Sequence, residues 1–142
     1  METKDLFLSE QHPTSRRWVV VEDDGTVAWM YLTEPDLEKP AAECWLYNRV
    51  HAPTTFNSSR GEPPVVPATH TDVVVPFVPP SAESVTLKWS LDGESVAIFI
   101  HTELVGFIAA NQRRGFSKNL FMSGPFGSPI DRALYEQLFV ER

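Results

Sequence analysis

The chain has 142 residues, with 12 basic against 19 acidic side chains and a formal net charge of −7. That length fits one domain, 1–142, large enough to bury roughly two-thirds of the surface its unfolded chain exposes. The acidic balance argues against nucleic acid as a partner, because binding to phosphate depends on Lys and Arg displacing counterions. The single cysteine, Cys44, permits neither an intrachain disulfide nor a Cys-based zinc cluster and is expected as a small buried hydrophobe. "METKDLFLSEQHP" carries charge from its second residue and lacks the apolar core of a signal peptide, and no apolar run approaches the ~18 residues of a membrane span. A cytoplasmic protein without membrane contact is expected.

Residues 1–15 are polar and mixed and are expected to form a flexible arm. From Arg17 to Leu32 two strands are joined through Asp24-Gly25, residues that tolerate the positive φ of a tight turn. With those two at the tip, Trp18 faces Tyr31, Val20 faces Trp29 and Glu22 faces Val27, while Val19, Val21, Ala28 and Met30 take the other side. Both faces are apolar, as in strands covered on two sides. The adjacent acids Glu22, Asp23 and Asp24 invite a cation, but successive residues point in alternating directions, so at most two reach one ion. They are expected to be a solvated hairpin tip.

Glu43–Val50 is rich in aromatic and branched residues and reads as a third strand. Residues 53–80 hold seven of the twelve prolines, so this stretch is a connection within the domain and pairs at most at an edge. "SVTLKWSLDGESVAIFI" is a second hairpin turning at Asp92-Gly93. It puts Val85, Leu87, Trp89, Val96, Ile98 and Ile100 on one face, and Thr86, Lys88, Ser90, Ser95 and Ala97 mostly on the other, a one-sided pattern. "LVGFIAAN" follows as a strand after a turn at His101–Glu103. A helix closes the chain, with Ser128 as N-cap, Pro129 in the first helical position and Asp131 completing an approximate capping box. Ile130, Leu134 and Leu138, with Tyr135 and Phe139 beside them, give it one apolar face. The expected fold class is α+β, mainly β: an antiparallel meander of about six strands with one C-terminal amphipathic helix across one face.

In this order, "RWVVVEDDGTVAWMYL", "LYNRV", "LKWSLDGESVAIFI" and "RRGF" resemble a family of small single-domain bacterial proteins of unknown function with paired Asp-Gly hairpins. The similarity runs from Arg17 to Phe121. It departs from the family at His101-Thr102, where those proteins carry an Asn-Gly turn, and the proline-rich insert is longer here. The resemblance implies a compact bacterial protein and supplies no activity or catalytic residue.

No nucleophile elbow, phosphate loop or dinucleotide fingerprint is present in the sequence. "SGPFGSP" leads into the helix start, where an anion could sit, but it reads first as the loop carrying the N-cap. "HTD" (His70, Asp72) and "HTE" (His101, Glu103) each pair a histidine with a carboxylate, and the four together would make a metal site for a small hydrolase. Arg113, Arg114 and Lys118 form one basic turn, and Arg16 with Arg17 a second cluster that could meet it around a phosphate or carboxylate. Trp18, Trp29 and Tyr31 make an aromatic stripe that needs a cover: the proline-rich loop, a second copy or a ligand. The sequence favours a non-enzymatic protein-binding or regulatory module without a cofactor, using the stripe, the proline-rich loop, Arg113 and Arg114. Its alternatives are the metal-dependent hydrolase and a structural homodimer.

Overall fold

The computed structural model describes residues 6–52, 65–74 and 84–139. The fold is mainly β, with two sheets and one short helix. The first sheet is an antiparallel meander of β1 (Leu6–Gln11), β2 (Trp18–Asp23), β3 (Val27–Thr33) and β4 (Pro40–Asn48). The second runs through β5 (Val85–Trp89), β6 (Val96–Ile100), β7 (Glu103–Ile108), β8 (Phe116–Ser117) and β9 (Ser128–Pro129), the last pair parallel. The helix α1 spans Arg132–Phe139. No helix among the described residues is long and apolar enough to cross a membrane.

The segment expected to be a flexible arm supplies β1, which pairs along its whole length with β2. Alternation explains it: Leu6 is buried and Leu8 packs on the core, while Phe7 and Ser9 on the other face are exposed. The first hairpin keeps its expected faces but moves its partners by two residues. Val20 lies opposite Tyr31 and Glu22 opposite Trp29. Gly25 (φ 92) and Thr26, not Asp24 and Gly25, occupy the tip. The Asp24 carboxylate accepts from the amides of Thr26 and Val27 at 2.9 and 3.0 Å, which places Asp24 before the turn rather than in it. An even displacement leaves every side chain on its face.

The second hairpin has the expected register, Val85 opposite Ile100 through Trp89 opposite Val96. Gly93 turns it at φ 72, and a Cβ there would lie 2.3 Å from Nδ1 of His12, so the tip accepts the chain just after β1 only as glycine.

A second sheet, not the helix, covers the Val19, Val21 and Met30 face. Those residues share one buried cluster with Cys44, Leu46, Val96, Ile98, Val105 and Ile108, and with the inward faces of Val85, Leu87 and Ile100. Eight residues make only about 12 Å of helix, too little to cover four strands. The alternating face of β5 and β6 has the matching extent. The helix instead covers the outer side of β6 and β7. Tyr135 and Phe139 pack there with Ala97, Leu104, Phe107 and Ala109, so the second hairpin is one-sided only along β5. Asp131 is the N-cap: its carboxylate accepts from the amide of Leu134 at 3.0 Å. Ser128 and Pro129, expected to open the helix, are β9 and pair with β8.

Residues 53–64 and 75–83 lie outside the described residues, so most of the proline-rich connection does too. Its middle, Val65–Val74, packs on the outer face of the first sheet. Val65 and Val66 sit in a cluster with Val27, Trp29, Trp45, Leu120 and Phe126. Asn48 holds it there, accepting from the amide of Val66 at 3.1 Å and donating to its carbonyl at 2.8 Å, while the Trp45 indole N–H donates to the same Asn48 oxygen. Val74 adds a single parallel bridge to Asn48.

The β6–β7 turn puts two non-glycine residues in the left-handed region, His101 at φ 51 and the β-branched Thr102 at φ 68. Both are exposed. Replacing them by Asn and Gly, the pair preferred for this two-residue turn, is expected to raise unfolding stability by about 1 kcal/mol, read as a higher urea midpoint at unchanged m-value.

Candidate functional site

Alternation along four strands assembles one continuous surface on the outer face of the first sheet. Phe7 on β1 lies opposite Glu22 on β2, Glu22 opposite Trp29 on β3, and Tyr31 opposite both Val20 and Glu43 on β4. The two rings of Trp29 and Tyr31 stack at 6.4 Å. They differ in exposure: Trp29 is buried beneath Val66, Leu120 and Phe126, whereas Tyr31, Trp18 and Val20 are half-buried and Phe7 is 54% exposed. The expected stripe is therefore divided: Trp29 lies under the proline-rich segment, Tyr31 packs at the edge of that cover, and Trp18 is half-buried beyond it.

The less covered half is electrically negative. Burial pushes the Tyr31 hydroxyl up to about 12, and the carboxylates of Glu22, Glu43 and Asp24 add to the rise in that order. Glu43 lies opposite Tyr31 and Glu22 opposite the neighbouring Trp29, and Asp24 lines the same shallow hollow from the turn.

The acidic trio that was expected as a solvated tip has three separate environments. Glu22 is half-buried on the outer face, Asp24 is exposed and caps the turn, and Asp23 is fully buried on the inner face. Asp23 accepts from the Tyr47 hydroxyl at 2.7 Å, from Nη1 of Arg49 at 3.1 and 3.2 Å and from the Gly25 amide at 2.9 Å. This is a structural ion pair locking β2, the turn and the end of β4. Tyr47 and Arg49 stand two residues apart and so reach the same side. Parity alone marks Asp23, since it follows Val19 and Val21 on the inward face.

The other sequence candidates separate. Among the described residues no three His, Cys, Asp or Glu side chains come together as a metal site, and that includes His70, Asp72, His101 and Glu103. His70 hydrogen-bonds Thr69 and meets the Phe126 ring edge-on, while Glu103 pairs with Lys118 at 3.2 Å. Cys44 is buried, and desolvation pushes its thiol up to about 12, which suits the packing role expected of it and not a nucleophile. Of the two basic clusters, Arg16 pairs with exposed Asp36 at 2.8 Å, and Arg114 donates to the Pro125 carbonyl at 2.8 Å. Arg17 and Arg113 both line one cleft of about 320 Å³ at the end of the sandwich.

A larger groove, about 440 Å³, lies between the β5–β6 tip and the end of α1. Its polar groups serve the turn itself: the Ser90 hydroxyl donates to Asp92, whose carboxyl is held below the usual range by the Glu94 amide and that hydroxyl. Compared with known proteins, the chain matches no family model, no curated protein and no solved structure.

Removing one partner of the buried pair leaves the other charge unsolvated. Asp23→Ala is expected to cost about 3–5 kcal/mol in chemical denaturation, while Asp24→Ala, which removes an exposed cap, costs about 1 kcal/mol. Equal losses for the two would contradict the assignment.

Proposed function

We propose that this chain is a non-catalytic, cytoplasmic binding module whose outer first-sheet face docks a basic segment of another protein flanked by apolar side chains. The observation that supports it is the convergence of Glu22, Glu43 and Asp24 on half-buried Tyr31, with Trp18, Val20 and exposed Phe7 on the same face. Lys or Arg laid across this patch meets carboxylates at its charged head and aromatic surface along its stem. Val65 and Val66, held by Asn48, make one wall of this face, so the described part of the proline-rich connection contributes by shaping the site.

Self-association through the same face is the weaker reading. A two-fold contact would bring Glu22 and Glu43 of each copy toward like charges, which costs energy and selects against that partner. The single buried thiol suits a reducing compartment.

Immobilised peptides in which basic and apolar positions are varied independently test the proposal. Binding is expected to require both, to weaken steeply with salt, and to fall at least tenfold in the double charge reversal Glu22→Lys, Glu43→Lys at unchanged thermal unfolding. Equal binding of acidic and basic peptides, or no effect of the reversal, would sink it.

A further inference from the structure

The cleft at the end of the sandwich carries a separate site and shares no lining residue with the acidic aromatic face. Arg17, just before β2, and Glu94, in the tip of the second hairpin, satisfy each other at 2.9 Å, and Arg17 also donates to the Thr33 carbonyl at 2.9 Å. Two opposite charges of the lining remain without an ion-pair partner among the described residues, the exposed guanidinium of Arg113 and the half-buried carboxylate of Glu34. Leu32 and the small side chains of Ala41 and Ala109 leave the space between them open.

The walls are held by main chain. The Arg113 carbonyl accepts from the Glu43 amide at 2.8 Å, the Gly115 amide donates back to Glu43 at 2.8 Å, and the Glu34 amide donates to Lys39 at 3.0 Å. Asn111 turns the chain into this wall at φ 67, and its neighbour Gln112 bonds back to Ala109. These bonds fix the backbone that carries Arg113 and Glu34, so a ligand need order only the two side chains.

The balance of charge decides the ligand class. Two arginines against two glutamates make the lining neutral, so a phosphate or dicarboxylate meets Glu34 and Glu94 as well as Arg113. A molecule with one charge of each sign meets both unpaired groups favourably. The volume, near the lower end of the roughly 300–1,000 Å³ of small-molecule sites, suits a compact ligand. We infer that this cleft binds a free α-amino acid with a small aliphatic side chain, its carboxylate on Arg113, its ammonium on Glu34 and its side chain against Leu32 and the alanines.

Titration calorimetry of the full chain with L-alanine and L-valine, alongside propionate, propylamine and inorganic phosphate, tests this. Saturable binding of the amino acids is expected, with at least tenfold weaker binding of the two single-charge analogues and of phosphate. Arg113→Gln and Glu34→Gln are each expected to weaken amino-acid binding at least tenfold, and Ala41→Leu to do so by filling the space. Among the described residues neither the Arg113 nor the Glu34 side chain has a hydrogen bond or ion pair, and Ala41 is only half-buried, so unchanged thermal unfolding of the variants separates loss of the site from loss of structure. Absence of amino-acid binding, phosphate binding as tight as the amino acids, or full affinity in both charge variants overturns the proposal.

Discussion

A sheet that is apolar on both faces cannot leave either one bare to water, and the first sheet of this protein is such a sheet. Everything else is arranged around that constraint. The second sheet covers the inner face and forms the main core, and the proline-rich segment with Leu120 and Phe126 covers half of the outer face. Among the described residues that outer cover thins toward Tyr31, which packs at its edge, and Trp18, both half-buried, and there aromatic rings stand near the carboxylates of Glu22 and Glu43. The same division of labour explains the helix. With the inner face already taken, its apolar side goes to the back of β6 and β7, where Phe107 and Phe116 stack and Tyr135 and Phe139 close over Phe107.

The sequence carried this plan unevenly. Periodicity of two identified the strands and their faces, and in the second hairpin it identified the register as well, because Asp92-Gly93 sits at the tip that the alternation demands. At the first hairpin the same dipeptide misleads by two residues, because the Asp24 side chain prefers to close the turn from outside it. β1 was legible too, in the alternation of Leu6 and Leu8 with exposed neighbours, but its polar composition hid it. Periodicity says that a face is buried and is silent about what buries it, so the covering of the core by a second sheet lay beyond it.

The sites divide along the same line. Trp18, Trp29 and Tyr31 were legible as a surface needing a cover, since one hairpin brings them together. Asp23 was legible by parity, yet its place in a run of three acids pointed toward solvent. That Arg17 and Arg113 line one cleft depends on the junction of the two sheets, where Glu43 bridges to Arg114, and no local pattern encodes a shared site for residues so distant in the chain. The dispersal of the histidine and carboxylate pairs has the same origin: "HTD" and "HTE" repeat in sequence, but one docks against the Phe126 loop and the other crosses a hairpin tip.

The clamp of Asn48 on Val66 has one more effect, on how the chain can vary. By pinning a point midway along the connection from β4 to β5, it divides one long closure into two shorter ones, each with its own entropy. Closure entropy grows only by about 0.6 kcal/mol for each doubling of length. Either half can therefore lengthen or shorten across evolution while the sheets on both sides keep their register, provided that one amide side chain stays in place.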